Sequence, residues 1–200
     1  MKETKQIKNT YGLVMCGGQS NRMGTDKSML QYYDKPQRYH VYDMLLPFCE
    51  KVFISCNKEQ ANTIVEGYDF IEDATTYNDI GPMAALLSAF TLYPQKNLLL
   101  VGCDYPFLTP GELEIFSKLC KNIPASFYNQ QAAIYESMLA WYPSSCFDEL
   151  KQMFKTKQLS MQQLLRKNDA IKYLPVDTNC IKSIDTMEAF NETLKQLNAG

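Results

Sequence analysis

Glycines and cations follow the first apolar run of the chain in an arrangement that suits the binding of phosphate groups. Gly17 and Gly18 come first, and Arg22 and Lys27 follow them. Glycine lacks a Cβ atom, so its N–H groups approach phosphate oxygens closely, while Arg and Lys supply bidentate and compact positive charge. The spacing is neither that of a Walker A loop nor G-x-G-x-x-G. An ordinary glycine turn with solvated charges is the alternative, but the position after a strand and the two cations favour a triphosphate-binding loop.

An acidic residue, Asp104, stands just after another apolar run, at residues 98–102. Carboxylate oxygens, completed by substrate phosphates, are the ligands that Mg²⁺ prefers in proteins. Asp104 is therefore the candidate metal ligand. Taken alone, its position is more typical of an aspartate in a turn or at a helix N-terminus.

Short apolar runs alternate with amphipathic stretches along the whole chain, which predicts an α/β protein. Because the runs are almost continuously apolar, we expect a mostly parallel open sheet with helices on both faces. No linker or repeat interrupts the pattern, so a single domain over residues 1–200 is expected, with about the first ten residues disordered. The predicted strands are residues 12–16, 52–56, 98–102, 126–128, 138–142 and 171–176. The predicted helices are residues 37–48, 58–65, 83–92, 110–120, 146–154, 160–166 and 187–197.

The composition argues against several classes of protein. The net charge is −2 and neither half of the chain has a basic excess, so a nucleic-acid partner is not expected. Seven cysteines without a C-x-x-C pair, and a single histidine, argue against a disulfide framework, a zinc site or a thiol redox protein. Reduced thiols favour a cytoplasmic location. No apolar run is long enough to span a membrane, and the N-terminus lacks the apolar segment of a signal peptide.

The loop after the first strand resembles the signature of the molybdenum cofactor guanylyltransferase family (the molybdopterin-guanine dinucleotide biosynthesis protein A family), which is commonly L-A-G-G-x-S-x-R-M-G-x-D-K. In this chain Met15 and Cys16 replace Leu and Ala. The residues that match in register are Gly17, Gly18, Ser20, Arg22, Met23, Gly24, Asp26 and Lys27. The resemblance implies a Rossmann-like, GT-A-like nucleotidyltransferase fold.

The resemblance also implies roles for individual residues. The segment Gly-Cys-Asp-Tyr-Pro-Phe-Leu at residues 102–108 is similar to the family segment whose Asp holds Mg²⁺. The implied catalytic residues are Arg22, Lys27 and Asp104, with Asp104 as the metal ligand. The implied nucleotide-binding residues are Met15, Cys16, Gly17, Gly18, Lys27, Asn57, Asp79 and Asp104.

The base-binding residue is ambiguous in register. In the family an acid before Gly-Pro helps to bind guanine, and here either Asp79 or Asn78 takes that place before Gly81. A carboxylate suits the task, because the N1–H and 2-amino groups of guanine are adjacent donors. Asn57 has a plain alternative, as a turn residue after the second strand.

Two residues near the C-terminus stand where the family has asparagines that are implicated in contact with the pterin cofactor. They are Ser183 and Asp185, and both are candidates for binding the acceptor. Ser183 still donates and accepts hydrogen bonds, whereas an ionised Asp185 cannot donate. Capping of the last helix by Asp185 or Thr186 is the alternative.

The activity implied by the resemblance is transfer of GMP from GTP to the terminal phosphate of the molybdopterin cofactor, with release of pyrophosphate. Mg²⁺ is the implied cofactor, and proteins that deliver the cofactor or receive the product are implied partners. A molybdenum cofactor cytidylyltransferase and a sugar-phosphate nucleotidyltransferase are alternatives, although the Gly17-Gly18 pair is typical of guanylyl enzymes. A non-catalytic nucleotide-binding protein on the same fold is an alternative from another class.

Overall fold

The computed structural model describes residues 6–16, 26–78 and 80–198 of the chain. Most of the glycine loop, including Gly17, Gly18 and Arg22, lies outside these residues, and so does Asp79. The described residues form a seven-stranded sheet with helices packed against it. The strands are β1 (Thr10–Met15), β2 (Lys51–Cys56), β3 (Phe70–Glu72), β4 (Asn97–Gly102), β5 (Ala125–Asn129), β6 (Ile134–Tyr142) and β7 (Ile171–Tyr173). The helices are α1 (Gln37–Leu45), α2 (Lys58–Ala61), α3 (Pro82–Leu92), α4 (Pro110–Ser117), α5 (Cys146–Lys155), α6 (Met161–Lys167) and α7 (Met187–Asn198).

The sheet is mostly parallel, as the sequence predicts. Its strand order is β3-β2-β1-β4-β6-β5-β7. The first four strands in that order pair in parallel, and β7 pairs in parallel with β5. Strand β6 runs antiparallel to both of its neighbours. The carboxyl ends of β1, β2, β3 and β4 therefore meet at one edge of the sheet, where open α/β sheets bind their ligands.

Both faces of the sheet are buried under helices, because alternate residues of the central strands point to opposite sides. Val14 and Val101 pack on one face with residues of α1 and α4. Leu13 and Leu100 pack on the other with residues of α3, α5 and α6. The two layers hold the central strands rigidly, so the loops at their carboxyl ends start from fixed positions.

Local signals explain where the helices near the site begin. Gly81 precedes α3 with a φ of +62°, a conformation that side chains with a Cβ rarely adopt, and Pro82 occupies the first turn, where no N–H donor is needed. Thr109 caps α4 by accepting a hydrogen bond from the backbone N–H of Glu112 at 3.3 Å. The Gly-Pro pair thus has a structural role in starting α3.

Several element boundaries differ from the sequence prediction: β6 begins at Ile134 rather than at residue 138, and α1 and α4 end three residues earlier than predicted, at Leu45 and Ser117. Strand β3 is not predicted, because it is three residues long and only its middle residue is buried. The strand predicted at residues 171–176 ends at Tyr173, shortly before Pro175, which cannot donate to a neighbouring strand. The helix predicted at residues 58–65 ends at Ala61. The single domain stays a prediction.

Across the described ranges, no helix is both long enough and apolar enough to cross a membrane. The cytoplasmic location stays a prediction.

A buried carboxylate fastens the segment after β7 to helix α4. Glu112 is 7% exposed. Its Oε2 atom accepts a hydrogen bond from the Tyr173 hydroxyl at 2.5 Å, and its Oε1 atom accepts one from the backbone N–H of Asp177 at 3.0 Å. Glu112 thereby fixes the path of the chain shortly before it reaches Asp185.

We expect Glu112→Ala to lower the free energy of unfolding by about 1.5–3 kcal/mol, because two donors lose a charged acceptor in a buried place. Urea denaturation measures the change. Glu114→Ala is the matched control, since Glu114 lies on the same helix and is exposed. A loss for Glu112→Ala no larger than the control's would contradict this role of Glu112.

Candidate active site

The pairing of β1 with β4 brings the start of the glycine loop next to the Asp104 segment. Met15 and Gly102 are partners in register, and the backbone N–H of Cys103 donates to the Met15 carbonyl at 3.0 Å. Along the sequence, Cys16 and Gly17 follow Met15 of β1, and Cys103 and Asp104 follow Gly102 of β4. The two sequence segments singled out for phosphate and metal chemistry therefore leave the sheet side by side.

Cys16 and Cys103 lie buried between these segments. A hydrogen bond from the Cys103 thiol to the Cys16 side chain, together with burial, raises the pKa of the Cys103 thiol well above its usual range. Cys103 is therefore a neutral thiol at neutral pH. It packs the strand ends as a small apolar residue does.

Lys27 is held at the far end of the glycine loop by a short 3-10 turn, Lys27–Met29. Asp26 caps this turn, because its Oδ1 atom accepts from the backbone N–H of Ser28 at 2.9 Å. Its Oδ2 atom accepts from Gln60 Nε2 at 3.0 Å, which ties the turn to helix α2. These two hydrogen bonds of Asp26 fix the backbone on which Lys27 stands.

The Lys27 ammonium lies between two carboxylates. Lys27 Nζ is 2.5 Å from Asp185 Oδ1 and 3.9 Å from Asp104 Oδ1. The exposed fractions of the side chains are 15% for Lys27, 25% for Asp104 and 52% for Asp185. The fold therefore brings together three of the residues that the resemblance implicates, from three distant parts of the sequence.

Asp104 carries an acceptor atom that the described protein does not use. Its Oδ1 atom is buried and accepts no hydrogen bond within the described part of the chain. Burial raises the pKa of the Asp104 carboxyl, the nearby Lys27 charge lowers it, and the Asp185 charge raises it. A buried carboxylate oxygen that accepts no hydrogen bond from the described residues suits a hard divalent cation.

No group of three or more His, Cys, Asp or Glu residues suited to a metal occurs in residues 6–16, 26–78 and 80–198. Mg²⁺ often takes only one or two carboxylates and completes its coordination with substrate phosphates and water. Asp104 is therefore compatible with that way of binding.

The segment that carries Asp185 is anchored to both of the elements that flank the site. The backbone N–H of Ile184 donates to the Asp104 carbonyl at 2.9 Å. On the other side, the Phe190 ring of α7 packs edge-on against Tyr32, with ring centroids 5.0 Å apart. Burial, followed by the negative charge of Asp104, raises the pKa of Tyr32.

The remaining predicted site residues are exposed or lie outside the described residues. Asn57 is exposed and caps α2, because its Oδ1 atom accepts from the backbone N–H of Gln60 at 2.9 Å. Asn78 and Ser183 are exposed, and Ser183 Oγ donates to Asp185 Oδ2 at 3.3 Å. Asp79 lies outside the described residues.

Sequence reasoning misses a second carboxylate at the same edge of the sheet. Asp73 follows β3, and its Oδ1 atom accepts from the Ser55 hydroxyl at 2.9 Å. Burial raises the pKa of Asp73, and the Ser55 hydrogen bond partly offsets this. The signal was available, since an acid directly after a strand is what singled out Asp104. The sequence pattern does not predict β3, so it gives no reason to single out the residue after that strand.

A family model described as the MobA-like NTP transferase domain matches residues 12–171. The chain belongs to this family. The match includes the glycine loop, Asp73 and Asp104, and it ends before the Asp185 segment. The nucleotidyltransferase family predicted from the sequence is confirmed, and the chain is a nucleotidyltransferase.

Individual relatives agree with the family. A molybdenum cofactor biosynthesis bifunctional protein from Synechocystis sp. is 31% identical over 156 residues, which cover 71% of this chain and 44% of that protein. The chain thus spans less than half the length of that relative. A molybdenum cofactor guanylyltransferase from Pseudomonas entomophila is 23% identical over 154 residues, which cover 76% of this chain and 80% of that protein.

The fold is confirmed by a solved structure. The crystal structure of molybdopterin-guanine dinucleotide biosynthesis protein A from Archaeoglobus fulgidus superposes with a TM-score of 0.76 at 20% identity. The superposition covers 96% of this chain and 100% of that chain.

We expect Asp104→Asn to raise the free energy of unfolding at pH 7 by about 1 kcal/mol, as substitutions at strained functional sites often do. Since burial raises the pKa of Asp104, ionisation is harder in the folded state, and the charge destabilises the fold above that raised pKa. This destabilisation disappears as the pH falls through the raised pKa. The advantage of the variant, measured by urea denaturation, should therefore be smaller at pH 4 than at pH 7.

Asp34→Asn serves as the control, because Asp34 is exposed and its substitution should change stability by no more than about 0.5 kcal/mol. A less stable Asp104→Asn variant at pH 7 would show that the carboxylate stabilises the fold, against this expectation.

Proposed function

We propose that this chain transfers GMP from GTP to the terminal phosphate of the molybdopterin cofactor and releases pyrophosphate. The observation that carries the proposal is the Lys27 ammonium 3.9 Å from the buried Oδ1 atom of Asp104, at the carboxyl ends of β1 and β4. The names of the Synechocystis and Pseudomonas relatives support the choice of GTP and of the molybdenum cofactor.

The acceptor in this reaction is a phosphate that is already an anion at neutral pH, so it attacks the α-phosphorus of GTP without a general base. Catalysis then depends on positioning and on neutralising the charge that collects on the leaving pyrophosphate. We assign the triphosphate to the amides of Gly17 and Gly18, to Arg22 and to Lys27. Met15 and Cys16 bring the chain to this loop, and Lys27 donates to the phosphate oxygens.

Asp104 would hold Mg²⁺ through its buried Oδ1 atom, which accepts no hydrogen bond from the described residues. When bound, the ion supplies positive charge to the phosphate oxygens. Lys27 lies within 3.9 Å of the same oxygen and is placed to neutralise the phosphates from the other side.

Asp73 is our candidate for binding the base, beside the earlier candidates Asn57, Asn78 and Asp79. It lies at the carboxyl end of β3, and Ser55 fixes its carboxylate by a hydrogen bond. Guanine presents two adjacent donors, and a carboxylate accepts from both. Ser183 and Asp185 remain the candidates for contact with the acceptor, since both side chains are exposed and lie next to each other.

Two alternatives stay open to experiment. A cytidylyltransferase would share the phosphate site and differ at the base. A non-catalytic nucleotide-binding protein would bind GTP without turnover, although Lys27 and Asp104 are both retained.

We expect GTP with Mg²⁺ to raise the thermal midpoint of the protein more than CTP, ATP or UTP do. A ligand that binds only the folded state stabilises it by about 2.7 kcal/mol at a hundredfold excess over Kd. Pyrophosphate release with GTP and the molybdopterin cofactor then tests turnover. A selective shift with CTP would favour the cytidylyl alternative, and GTP binding without turnover would favour the non-catalytic one.

We expect Lys27→Ala to reduce the rate of pyrophosphate release by about 10²–10³-fold, the usual cost of removing one charged donor from a transition state. Its free energy of unfolding should fall by less than about 1 kcal/mol, because the ion pair is only partly buried.

Lys96→Ala is the matched control, because Lys96 also pairs with an acid, Glu50, but precedes β4 at the opposite edge of the sheet. It should leave the rate unchanged. If Lys27→Ala loses as much free energy of unfolding as it adds to the activation free energy, a phosphate role for Lys27 is contradicted.

We expect Asp73→Asn to weaken GTP binding by about tenfold or more, since a charged acceptor of base donors is lost. Binding of ITP, which lacks the 2-amino group, should weaken less. Calorimetric titration of both nucleotides measures the difference, and Glu72→Gln, an exposed neighbour, is the control. Equal losses for GTP and ITP would show that Asp73 does not contact the 2-amino group.

A further inference from the structure

The carboxylate of Asp185 pairs with Lys27, the residue to which we assign the phosphates of GTP. Lys27 Nζ lies 2.5 Å from Asp185 Oδ1, the distance of a strong charge-assisted hydrogen bond. We propose that Asp185 is an internal counter-ion, which holds Lys27 in the nucleotide-free protein and is displaced from it by the triphosphate of GTP. The inference rests on the proposed function, because it takes Lys27 as a triphosphate ligand.

The charges of the site explain why Lys27 has such a partner. Lys27 is mostly buried, and Asp104 Oδ1 at 3.9 Å is too far away to accept a hydrogen bond from it. Asp185 supplies that acceptor.

The Asp185 carboxylate and a triphosphate compete for the same Lys27 ammonium. Phosphate oxygens need the Lys27 donors, and the Asp185 carboxylate would face them at short range with the same sign of charge. The Asp185 side chain is 52% exposed, so it reaches water when it leaves Lys27. Binding of GTP therefore exchanges one anionic partner of Lys27 for another.

The backbone around Asp185 limits this exchange to side chains. On one side the Ile184 N–H donates to the Asp104 carbonyl at 2.9 Å. On the other side Thr186 Oγ1 accepts from the Ala189 N–H at 3.1 Å, and Phe190 packs against Tyr32. The segment thus stays in place while the carboxylate turns away.

Displacement of the Asp185 carboxylate from Lys27 also affects Ser183, a residue proposed to contact the acceptor. Ser183 Oγ donates to Asp185 Oδ2 at 3.3 Å, so the carboxylate that holds Lys27 also engages the hydroxyl proposed to contact the acceptor. When GTP displaces Asp185 from Lys27, the Ser183 hydroxyl changes its partner too. The two substrate subsites are coupled through one carboxylate.

The test is the affinity for GTP in the absence of divalent cations, measured by calorimetry for the wild type and for Asp185→Asn. Asparagine has the same shape without the charge, so we expect GTP to bind about two- to fivefold more tightly, the usual range for one partly exposed ion pair. Asp185→Ser, which also removes the charge, should give a gain of the same sign.

Two further measurements isolate the ion pair. In a Lys27→Ala background the gain from Asp185→Asn should shrink to less than about twofold, because the two residues act as one unit. Glu50→Gln, which removes the charge from the Lys96 pair at the opposite edge of the sheet, should leave GTP affinity unchanged.

The outcomes separate the two proposals. Weaker or equal binding by both Asp185 variants overturns the counter-ion and leaves the proposed function intact. The counter-ion is also overturned if Asp185→Asn increases GTP affinity as much in the Lys27→Ala background as in the wild type. Repulsion between Asp185 and the triphosphate would then explain the gain without Lys27. If neither the wild type nor any variant binds a nucleotide, the proposed function is overturned together with this inference.

Discussion

The parallel pairing of β1 with β4 is the constraint on which the site depends. It places Cys16 and Cys103 side by side at the sheet edge, so the glycine loop and the Asp104 segment begin at neighbouring points. Both strands are buried on both faces, and a shift of either one would expose apolar residues to water or lose backbone hydrogen bonds. The distance between the ends of β1 and β4, and so between Cys16 and Cys103, is therefore set by the core.

The carboxyl group of Asp104, which follows β4, favours function over stability. The Oδ1 atom of Asp104 is buried and accepts no hydrogen bond from the described residues, and burial disfavours the ionised form by raising the pKa of the carboxyl. A protein selected for stability alone would have no use for such a group. In a nucleotidyltransferase the same feature is an advantage, because a cation or a substrate completes the site and relieves the cost of burial.

The C-terminal segment links the two halves of the proposed reaction. Glu112 fixes the chain after β7, and the Ile184 N–H then fastens it to the Asp104 loop. Between these two anchors and helix α7, Ser183 and Asp185 lie close to Lys27. Of the two residues that the family resemblance assigns to the acceptor, Asp185 contacts Lys27, a residue assigned to the nucleotide, and Ser183 contacts Asp185. These contacts give one substrate a way to influence the binding of the other.

Part of the site can be predicted from the sequence because it depends on local patterns. The run of apolar residues before Gly17 and before Asp104 shows two buried strands, and parallel strands place their carboxyl ends at one edge. Other features escape prediction because they depend on weak or distant signals. Strand β3 is short and half exposed, so Asp73 was overlooked, and Asn57 gives no local sign of whether it caps a helix or binds a ligand.

The sequence by itself determined the fold class, the nucleotidyltransferase family and the segments that hold the candidate residues, because apolar periodicity and a long glycine motif are local properties of the chain. Only the tertiary structure decided that Asp185 reaches Lys27, that Ser55 holds Asp73 and that Asp104 keeps an oxygen without a donor in the described residues. Lys27 and Asp185 are separated by 158 positions in the chain. Contacts of that range follow from how the sheet and its helices pack, and no local pattern encodes them.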